Sequence, residues 1–351
     1  MEFASDNSSG ATPEVMEALN AANTGYAPSY GTDPLMAEAT DLIRGIFDAP
    51  EAAVFLVATG TAANALSTAL HCPPWGALYC HADAHVEVDE CGAPEFFTGG
   101  GKTAPIAGDH GKITPDGLKA RLALTPQGGV HHIQHGMLTL TNLTEAGTAY
   151  HPGEVASLAA IARSEGMKVH MDGARLANAL AFTGAGAADM TWRAGIDVLS
   201  LGGTKNGCLG IEAVVLFDPA KAWEFELRRK RGAHLFSKHR FLSAQMAGYL
   251  RDGRWLERAG HANRMAARLA EGIAALQGGS LVHPCQGNIV FAGFPRDLHR
   301  KATAAGAHYY LWPFDQSLEG AGDAALSARF VCSWSTTKAE VDAFLSLLRA
   351  G

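Results

Sequence analysis

The sequence lacks any long uninterrupted apolar run, and none approaches the roughly eighteen residues that a membrane-spanning helix needs. Its first residues contain no basic segment followed by an apolar core, so we expect no secretory signal and a cytoplasmic location. Clustered positive charge is also scarce: the formal net charge is −7, and the basic run is confined to 228–231. Because binding to a phosphate backbone needs a broad cationic face, neither nucleic acid nor a membrane is expected as a partner.

Cysteine is sparse, and no two cysteines stand at a short paired spacing. The six are Cys72, Cys80, Cys91, Cys208, Cys285 and Cys332. Neither a disulfide framework nor a thiolate zinc site is indicated, and we expect reduced, mostly buried thiols. The segment 131–135 holds three histidines and 83–90 holds four acidic residues, which raises a metal site as an alternative. The histidine spacing suits no single helix face, so we expect no metal.

What the chain does contain is typical of a globular α/β protein, with 47% hydrophobic and 18% charged residues among 351. Strands predicted at 53–58, 77–80, 135–141, 168–171 and 196–201 alternate with helical patterns. This alternation predicts a mainly parallel sheet with helices on both faces.

The end of the chain differs from this pattern. Residues 210–217 are predicted to return as an antiparallel strand, helices follow to about 276, and a smaller α+β unit ends in a helix over 338–349. We therefore predict an N-terminal arm and helix (1–25), a large domain (26–250) and a small C-terminal domain (251–351).

Lys205 lies at the tip of the segment 198–207, directly after an apolar run rich in β-forming residues. Gly202 and Gly203 turn the backbone and leave little side-chain bulk beside the lysine. A lysine presented in this way is poorly solvated, which favours an amine that forms Schiff bases. A solvated loop lysine is the alternative.

Other polar features also follow predicted strands. The turn Thr59-Gly60-Thr61 leads from a strand into a helix, a geometry in which free N–H groups hold an anion. His85, Asn142 and Asp172 each follow a strand as well, and ligands of such sheets gather beyond the carboxyl ends of the strands. Each has an ordinary alternative: an unremarkable strand-to-helix turn, a surface histidine, or an aspartate that caps a helix.

An anion site, an aspartate and a nucleophilic lysine at one sheet edge suit a phosphorylated heteroaromatic aldehyde, and pyridoxal 5'-phosphate fits. Lys205 would bond its aldehyde, and Asp172 would keep the pyridine nitrogen protonated so that the ring accepts electrons from Cα. His85 would lie on the ring face and offer a nearby base.

The ordered motifs resemble the low-specificity L-threonine aldolases, including the phenylserine-aldolase-like branch. These are fold type I pyridoxal-phosphate enzymes of the β-eliminating lyase superfamily. The resemblance spans nearly the whole chain, through segments 3–7, 30–34, 58–64, 81–85, 170–175, 202–207 and 328–334.

The resemblance implies retro-aldol cleavage of L-threonine, L-allo-threonine or phenylserine to glycine and an aldehyde, in a homodimer or homotetramer with shared active sites. It also implies a role for each matching residue. Lys205 is the Schiff-base lysine, Asp172 the pyridinium partner and His85 the stacking residue. The other implied roles are phosphate binding by Thr59, Gly60 and Thr61, contact with the cofactor ring hydroxyl or Asp172 by Arg175, and substrate binding by Ser5, Tyr30, Arg175 and Arg329. The basic residues of 228–231 and Lys238 are expected to form a solvated helical face. The alternative, which the resemblance implies, is that one of them reaches a neighbouring subunit's cofactor phosphate.

One departure concerns the base. Many family members carry a histidine in the loop after the third predicted strand, whereas the segment 140–145 has none. His85 or a bound water are the candidates for the base on the substrate hydroxyl. β-Elimination, racemisation and aminotransfer share the same lysine and aspartate and are alternative reactions. A nucleotide-binding module is a further alternative, but no strand is followed by Gly-x-Gly-x-x-Gly and a helix.

Overall fold

The computed structural model describes residues 1–349. Its helices are α1 (Pro13–Ala22), α2 (Pro34–Ile46), α3 (Gly60–His71), α4 (His85–Val88), α5 (Ala93–Thr98), α6 (Pro115–Ala123), α7 (Pro152–Ser164), α8 (Leu176–Thr183), α9 (Ala187–Met190), α10 (Ala222–Arg231), α11 (Arg240–Leu250), α12 (Arg254–Ala274), α13 (Arg296–Ala304) and α14 (Lys338–Arg349). Its strands are β1 (Ala53–Val57), β2 (Gly76–His81), β3 (Lys102–Ile106), β4 (Gln134–Thr141), β5 (Lys168–Gly173), β6 (Val198–Gly202), β7 (Glu212–Leu216), β8 (Ser280–Leu281), β9 (Ile289–Pro295), β10 (Tyr310–Leu311) and β11 (Ala325–Val331). No helix of residues 1–349 is both long and apolar enough to cross a bilayer.

The larger sheet has seven strands in the order β1-β7-β6-β5-β4-β2-β3. Strands β6, β5, β4, β2 and β3 are mutually parallel, whereas β7 is antiparallel to both β6 and β1. Strand β1 therefore runs in the same sense as β6, and its carboxyl end reaches the same edge. The predicted α/β class, the mainly parallel sheet and the returning antiparallel strand are confirmed, and the sheet has seven strands.

Burial on both faces explains the composition of the inner strands. Every residue of β2, β6 and β7 is buried, which is typical of strands covered by helices on both sides. Helix α3 is also buried nearly all round, with nine consecutive buried residues from Ala62 to Leu70. It packs against β5, β6 and β7, and the side chain of Asn64 bonds Asp172 at the end of β5.

A second sheet of four strands, in the order β10-β11-β9-β8, is antiparallel and belongs to the C-terminal part of the chain. The long helix α12 packs against both α8 and β9 and so joins the two sheets. The N-terminal arm adds to this second unit. Phe3 donates its N–H to His308 O (2.8 Å) and accepts from Val331 N (2.8 Å), and its ring packs on Phe344 with centroids 5.3 Å apart. The division at 25 and 250 stays a prediction.

Candidate active site

Lys205 lies in a short 3₁₀ turn (Thr204–Asn206) just after β6. A Cβ on Gly202 would collide with the carbonyl oxygen of Ala174, so β6 comes this close to the segment after β5 because residue 202 is glycine. The N–H of Gly203 donates to Glu212 Oε2 (2.8 Å), and burial raises the pKa of Glu212 to about 7. The turn that carries Lys205 is thereby fixed to the neighbouring strands.

A cleft of about 470 Å³ lies beyond this turn. Five residues that sequence reasoning selected line it together: Ser5, His85, Arg175, Lys205 and Arg329. They come from the N-terminal arm, the helix after β2, the turn after β5, the turn after β6 and strand β11. Both sheets and the arm thus contribute to one site, which the large domain alone would not form.

Asp172 is buried at the end of β5, with 3% of its surface exposed. Its Oδ1 accepts from Ala174 N (3.0 Å) and its Oδ2 accepts from Asn64 Nδ2 (2.9 Å). Burial by itself would raise the pKa of Asp172, but the Lys205 cation and the Ala174 N–H outweigh burial and hold it below its usual value. Asp172 is therefore ionised at neutral pH. It is not the cap of α8, because the N-cap of that helix is Arg175 and no side chain caps it.

His85 belongs to a network that sequence reasoning missed. Its Nδ1 lies 2.8 Å from Oε1 of the buried Glu90, and Asn64 Nδ2 donates both to this oxygen (2.8 Å) and to Asp172. The hydrogen bond to Glu90 raises the pKa of His85. In the sequence, the four acidic residues of 83–90 suggested only a metal site. The pattern that could have indicated the network is a glutamate five residues after a histidine, at the two ends of the short helix α4.

Arg175 is engaged by a residue that sequence reasoning did not select. Its Nε and Nη2 donate to the two carboxylate oxygens of Asp6 (2.7 and 2.9 Å), and Asn288 Nδ2 also donates to Asp6 (3.0 Å). Burial alone would raise the pKa of Asp6, but Arg175 outweighs it and lowers that pKa. Arg175 thus ties the N-terminal arm to the sheet edge and holds the neighbouring Ser5 at the cleft.

Arg329, in contrast, is a half-buried cation with no carboxylate within ion-pair distance among residues 1–349. Burial, reinforced by the nearby Arg175, lowers the pKa of Arg329. A guanidinium that faces a cleft without an anionic partner is suited to bind a carboxylate from solution.

The first turn of α3 carries the predicted anion site. Thr59 caps the helix by accepting from Ala62 N (3.1 Å), and the N–H groups of Gly60 and Thr61 have no hydrogen-bond acceptor in the described part of the chain. No atom lies within 4 Å of the position that a Cβ on Gly60 would take, so this turn faces open space. Thr59, Gly60 and Thr61 do not line the cleft, but Asn64 in the next turn bonds Asp172.

Tyr30 does not line the cleft of its own chain. It is half-exposed, and its ring lies 5.2 Å from Lys230 Nζ on α10. Tyr30 and the basic segment 228–231 are therefore neighbours on the surface. Asn142 is also outside the cleft, because its side chain pairs with the backbone of Tyr150.

The outer end of the cleft is aromatic. Phe291, Trp312 and Phe314 form an edge-to-face series, with centroids 5.9 Å and 4.5 Å apart. The ring of His283 packs on Phe291 with centroids 5.2 Å apart. No sequence motif indicated these four residues, because three separate segments of the small unit contribute them.

The described residues contain no group of three or more His, Cys, Asp or Glu side chains that could hold a metal ion. Of the histidines at 131–135, His135 is engaged by the fold: its Nε2 bonds Thr125 O (2.9 Å) and its ring packs on Tyr79.

The chain is similar to known proteins over nearly its whole length. The family model described as beta-eliminating lyase matches residues 2–294. A low specificity L-threonine aldolase of Pseudomonas sp. (strain NCIMB 10558) is 40% identical over 349 residues, covering 99% of this chain and 97% of that protein. The protein of the same name from Pseudomonas aeruginosa is 42% identical over 335 residues, covering 95% of this chain and 93% of that protein.

Among solved structures, a threonine aldolase of Leishmania major superposes with a TM-score of 0.91 at 26% identity, covering 99% of this chain and 98% of that chain. The fold predicted from the ordered motifs, that of the fold type I pyridoxal-phosphate enzymes, is thereby confirmed. The chain belongs to the β-eliminating lyase family, in the group that contains the low-specificity L-threonine aldolases.

Proposed function

We propose that this protein is a pyridoxal-phosphate-dependent aldehyde-lyase that cleaves L-threonine, L-allo-threonine and related β-hydroxy-α-amino acids, phenylserine among them, to glycine and an aldehyde. One observation carries the proposal: the amine of Lys205 and the guanidinium of Arg329 line the same cleft. Lys205 also lies close enough to the buried Asp172 carboxylate to lower its pKa, and Arg329 has no anionic partner in residues 1–349. The full-length similarity to L-threonine aldolases supports it.

The residues present fit pyridoxal phosphate. Lys205 Nζ has no hydrogen-bond partner in residues 1–349, so it is free to bond an aldehyde, and Asp172 is ionised as a pyridinium partner requires. The free N–H groups of Gly60 and Thr61, with Thr59 beside them, would hold the phosphate at the positive end of α3. When bound, the cofactor supplies a protonated ring that withdraws electrons from the substrate's Cα.

The side chains around the cofactor have complementary tasks. Asp172 would keep a proton on the ring nitrogen of the cofactor. Asn64 Nδ2 fixes this carboxylate by donating to its Oδ2 and also donates to Glu90. Glu90 in turn orients His85, which would lie against the ring. A network of this kind fixes the plane of the ring through side chains that are themselves held by hydrogen bonds.

Arg329 and Ser5 would bind the substrate carboxylate. Holding that group sets which bond at Cα stands perpendicular to the ring plane, and this orientation selects Cα–Cβ cleavage over loss of the α-proton. The Asp6–Arg175 pair serves the same end indirectly, because it anchors the arm that carries Ser5.

A product assay tests the function. The purified holoenzyme is incubated with L-threonine, L-allo-threonine or phenylserine, without a 2-oxo acid, and glycine and aldehyde are measured in equal amounts. Release of ammonia and a 2-oxo acid would indicate β-elimination, and a requirement for a 2-oxo acid would indicate aminotransfer. Either result would overturn the proposal.

Arg329→Lys keeps the positive charge but loses the two-pronged contact with a carboxylate. We expect KM for threonine to rise about 10–100-fold, since a hydrogen bond to a charged group contributes roughly 1.5–3 kcal/mol. The exposed Arg268→Lys on α12 is the matched control and leaves the kinetics unchanged. An unaltered KM in Arg329→Lys would remove Arg329 from the substrate site.

The aromatic end of the cleft suits a bulky β-substituent. Trp312→Ala is expected to raise KM for phenylserine by about 3–10-fold relative to KM for threonine, because an aromatic pair adds roughly 0.5–1.5 kcal/mol. Trp75→Ala removes an exposed tryptophan away from the cleft and serves as control. Equal effects on both substrates would show that Trp312 does not contact the β-substituent.

We also propose a homodimer or homotetramer in the cytoplasm, in which Tyr30 and a basic residue of 228–231 or Lys238 reach the neighbouring subunit's site. The support is an exposed apolar surface on α10, where Trp223 is 72% and Leu227 48% exposed. Lys230 of the same helix contacts the ring of Tyr30. Six free thiols are typical of a reducing compartment.

A further inference from the structure

The cleft contains a histidine that the mechanism above does not use. His283 lies in the segment before β9, lines the cleft together with Lys205, and is half-buried. Its ring stands edge-on to Phe291, at an interplanar angle of 79°, so its plane is fixed by packing. It therefore adds a second imidazole to the cleft, beside His85.

His283 is hydrogen-bonded to another histidine. Its Nδ1 lies 2.9 Å from Nδ1 of His110, and the two rings are nearly perpendicular at 85°. His110 is exposed, and its carbonyl oxygen accepts from Thr148 Oγ1 (2.7 Å), which anchors the turn that carries it. The pair thus extends from the cleft to the solvent.

Two Nδ1 atoms at this distance share one hydrogen between them. When His283 carries it and donates to His110, His283 Nε2 presents a free lone pair and His110 carries its own hydrogen on Nε2. Burial, followed by the nearby His110, lowers the pKa of His283, so the ring is neutral near pH 7. His85 differs, because its bond to Glu90 raises its pKa and favours the protonated form.

We propose that His283 is the base that accepts the proton of the substrate's β-hydroxyl group, and that His110 takes the Nδ1 hydrogen of His283 and releases a proton of its own to solvent. The inference rests on the proposed aldolase function and identifies the base that the segment 140–145 lacks. The position of His283 beside the aromatic end of the cleft, where the β-substituent would lie, supports it.

Cleavage moves the β-hydroxyl proton and two electron pairs. The β-hydroxyl O–H bond breaks, and its proton goes to His283 Nε2. The oxygen's electron pair forms the carbonyl of the aldehyde, the Cα–Cβ bond breaks, and its electron pair stays on Cα. The Nδ1 hydrogen of His283 moves to His110 Nδ1, and His110 releases its Nε2 hydrogen to water. Cα takes one proton from water to give glycine, and exchange of the ring hydrogens of His283 and His110 with water restores their starting arrangement. No oxidant or reductant is required.

The charged groups around His283 set the expected pH dependence. His110, from the turn before α6, and Asp83, from the loop after β2, act on the charge of His283. The other charged or titratable groups that line the same cleft are His85, Asp89, Glu145, Arg175, Lys205 and Arg329. Asp83 opposes the lowering of the His283 pKa but does not reverse it. Protonated His283 cannot accept the substrate's proton, so cleavage slows as the pH falls through the His283 pKa.

The test uses His283→Asn in the holoenzyme, since the asparagine amide retains a group that can bond His110. We expect kcat for threonine cleavage to fall about 10²–10⁴-fold, as is typical for loss of a general base, with little change in KM. Exchange of the α-proton of glycine with D₂O, followed by NMR, needs no β-hydroxyl base and should keep its rate. The acid limb of the kcat profile should disappear.

The exposed His308→Asn, whose imidazole bonds Glu2, is the matched control and should resemble the unaltered protein in both assays. His110→Asn should show a smaller loss of kcat than His283→Asn, because a water molecule can replace His110 in taking the proton from His283. Cleavage by His283→Asn at the unaltered rate, or equal losses of cleavage and glycine exchange, would overturn the inference while the aldolase function stands. Failure of the unaltered protein to release glycine from threonine would overturn both.

Discussion

Lys205→Ala is expected to bind pyridoxal phosphate without a covalent link and to lose the absorbance of the bound cofactor near the visible edge. Its cleavage of threonine should fall by more than the roughly 10²–10⁴-fold typical of losing a general base, because in the proposed function the lysine attaches the cofactor and is then displaced by the substrate amine. The absorbance spectrum and the rate of glycine release are measured on the same preparation.

Lys168→Ala is the matched control for this substitution. Lys168 begins β5 at the opposite edge of the sheet, where its Nζ bonds Asp197 (2.8 Å). This variant should retain both the spectrum and the activity. An unchanged spectrum in Lys205→Ala would mean that another amine carries the cofactor.

Asp172→Asn should separate two properties of the cofactor: its attachment to Lys205 and the electron withdrawal by its ring. Lys205 is untouched, so the cofactor remains bound and absorbs, but the ring nitrogen loses its charged partner. We expect kcat to fall by more than the roughly 10²–10⁴-fold of a lost general base. The substitution also disturbs the network, because an amide hydrogen at Oδ2 would oppose the donor Asn64 Nδ2.

The pH dependence of the free energy of unfolding is a second measurement on Asp172→Asn. The folded-state pKa of Asp172 lies below its unfolded value, so its contribution to the free energy of unfolding is present above the unfolded pKa and is lost as the pH falls through the folded one. Asp172→Asn should lack this loss. Asp197→Asn is the control, because it removes a carboxylate that accepts from Val169 N at the start of β5. Equal kcat in Asp172→Asn and Asp197→Asn would contradict the role of Asp172.

Most strands of the larger sheet, and the polar residues that follow them, could be predicted from the sequence because both depend on short-range patterns. Apolar runs of β-forming residues predict β5 and β6. In a parallel sheet, the residue that follows each of these runs must lie at the same edge. Strand β3 escaped prediction. Its segment follows a glycine-rich loop, contains Pro105 and has alternating exposure, features of a short edge strand and not of a buried one.

Contacts between distant segments could not be predicted. Asp6 meets Arg175 across 169 positions, and Asn64 meets Asp172 across 108. Neither pairing leaves a local signature, although each residue lay inside a motif that carried the resemblance. The pair of His110 and His283, 173 positions apart, lay outside every such motif.

The central claim is that the amine at position 205 carries pyridoxal phosphate. The most direct test is to reduce the holoenzyme with borohydride, digest it and locate the added mass by peptide sequencing in a mass spectrometer. The account predicts one phosphopyridoxyl group per chain, on Lys205. A modified lysine elsewhere, or no modification in a protein that releases glycine from threonine, would contradict it.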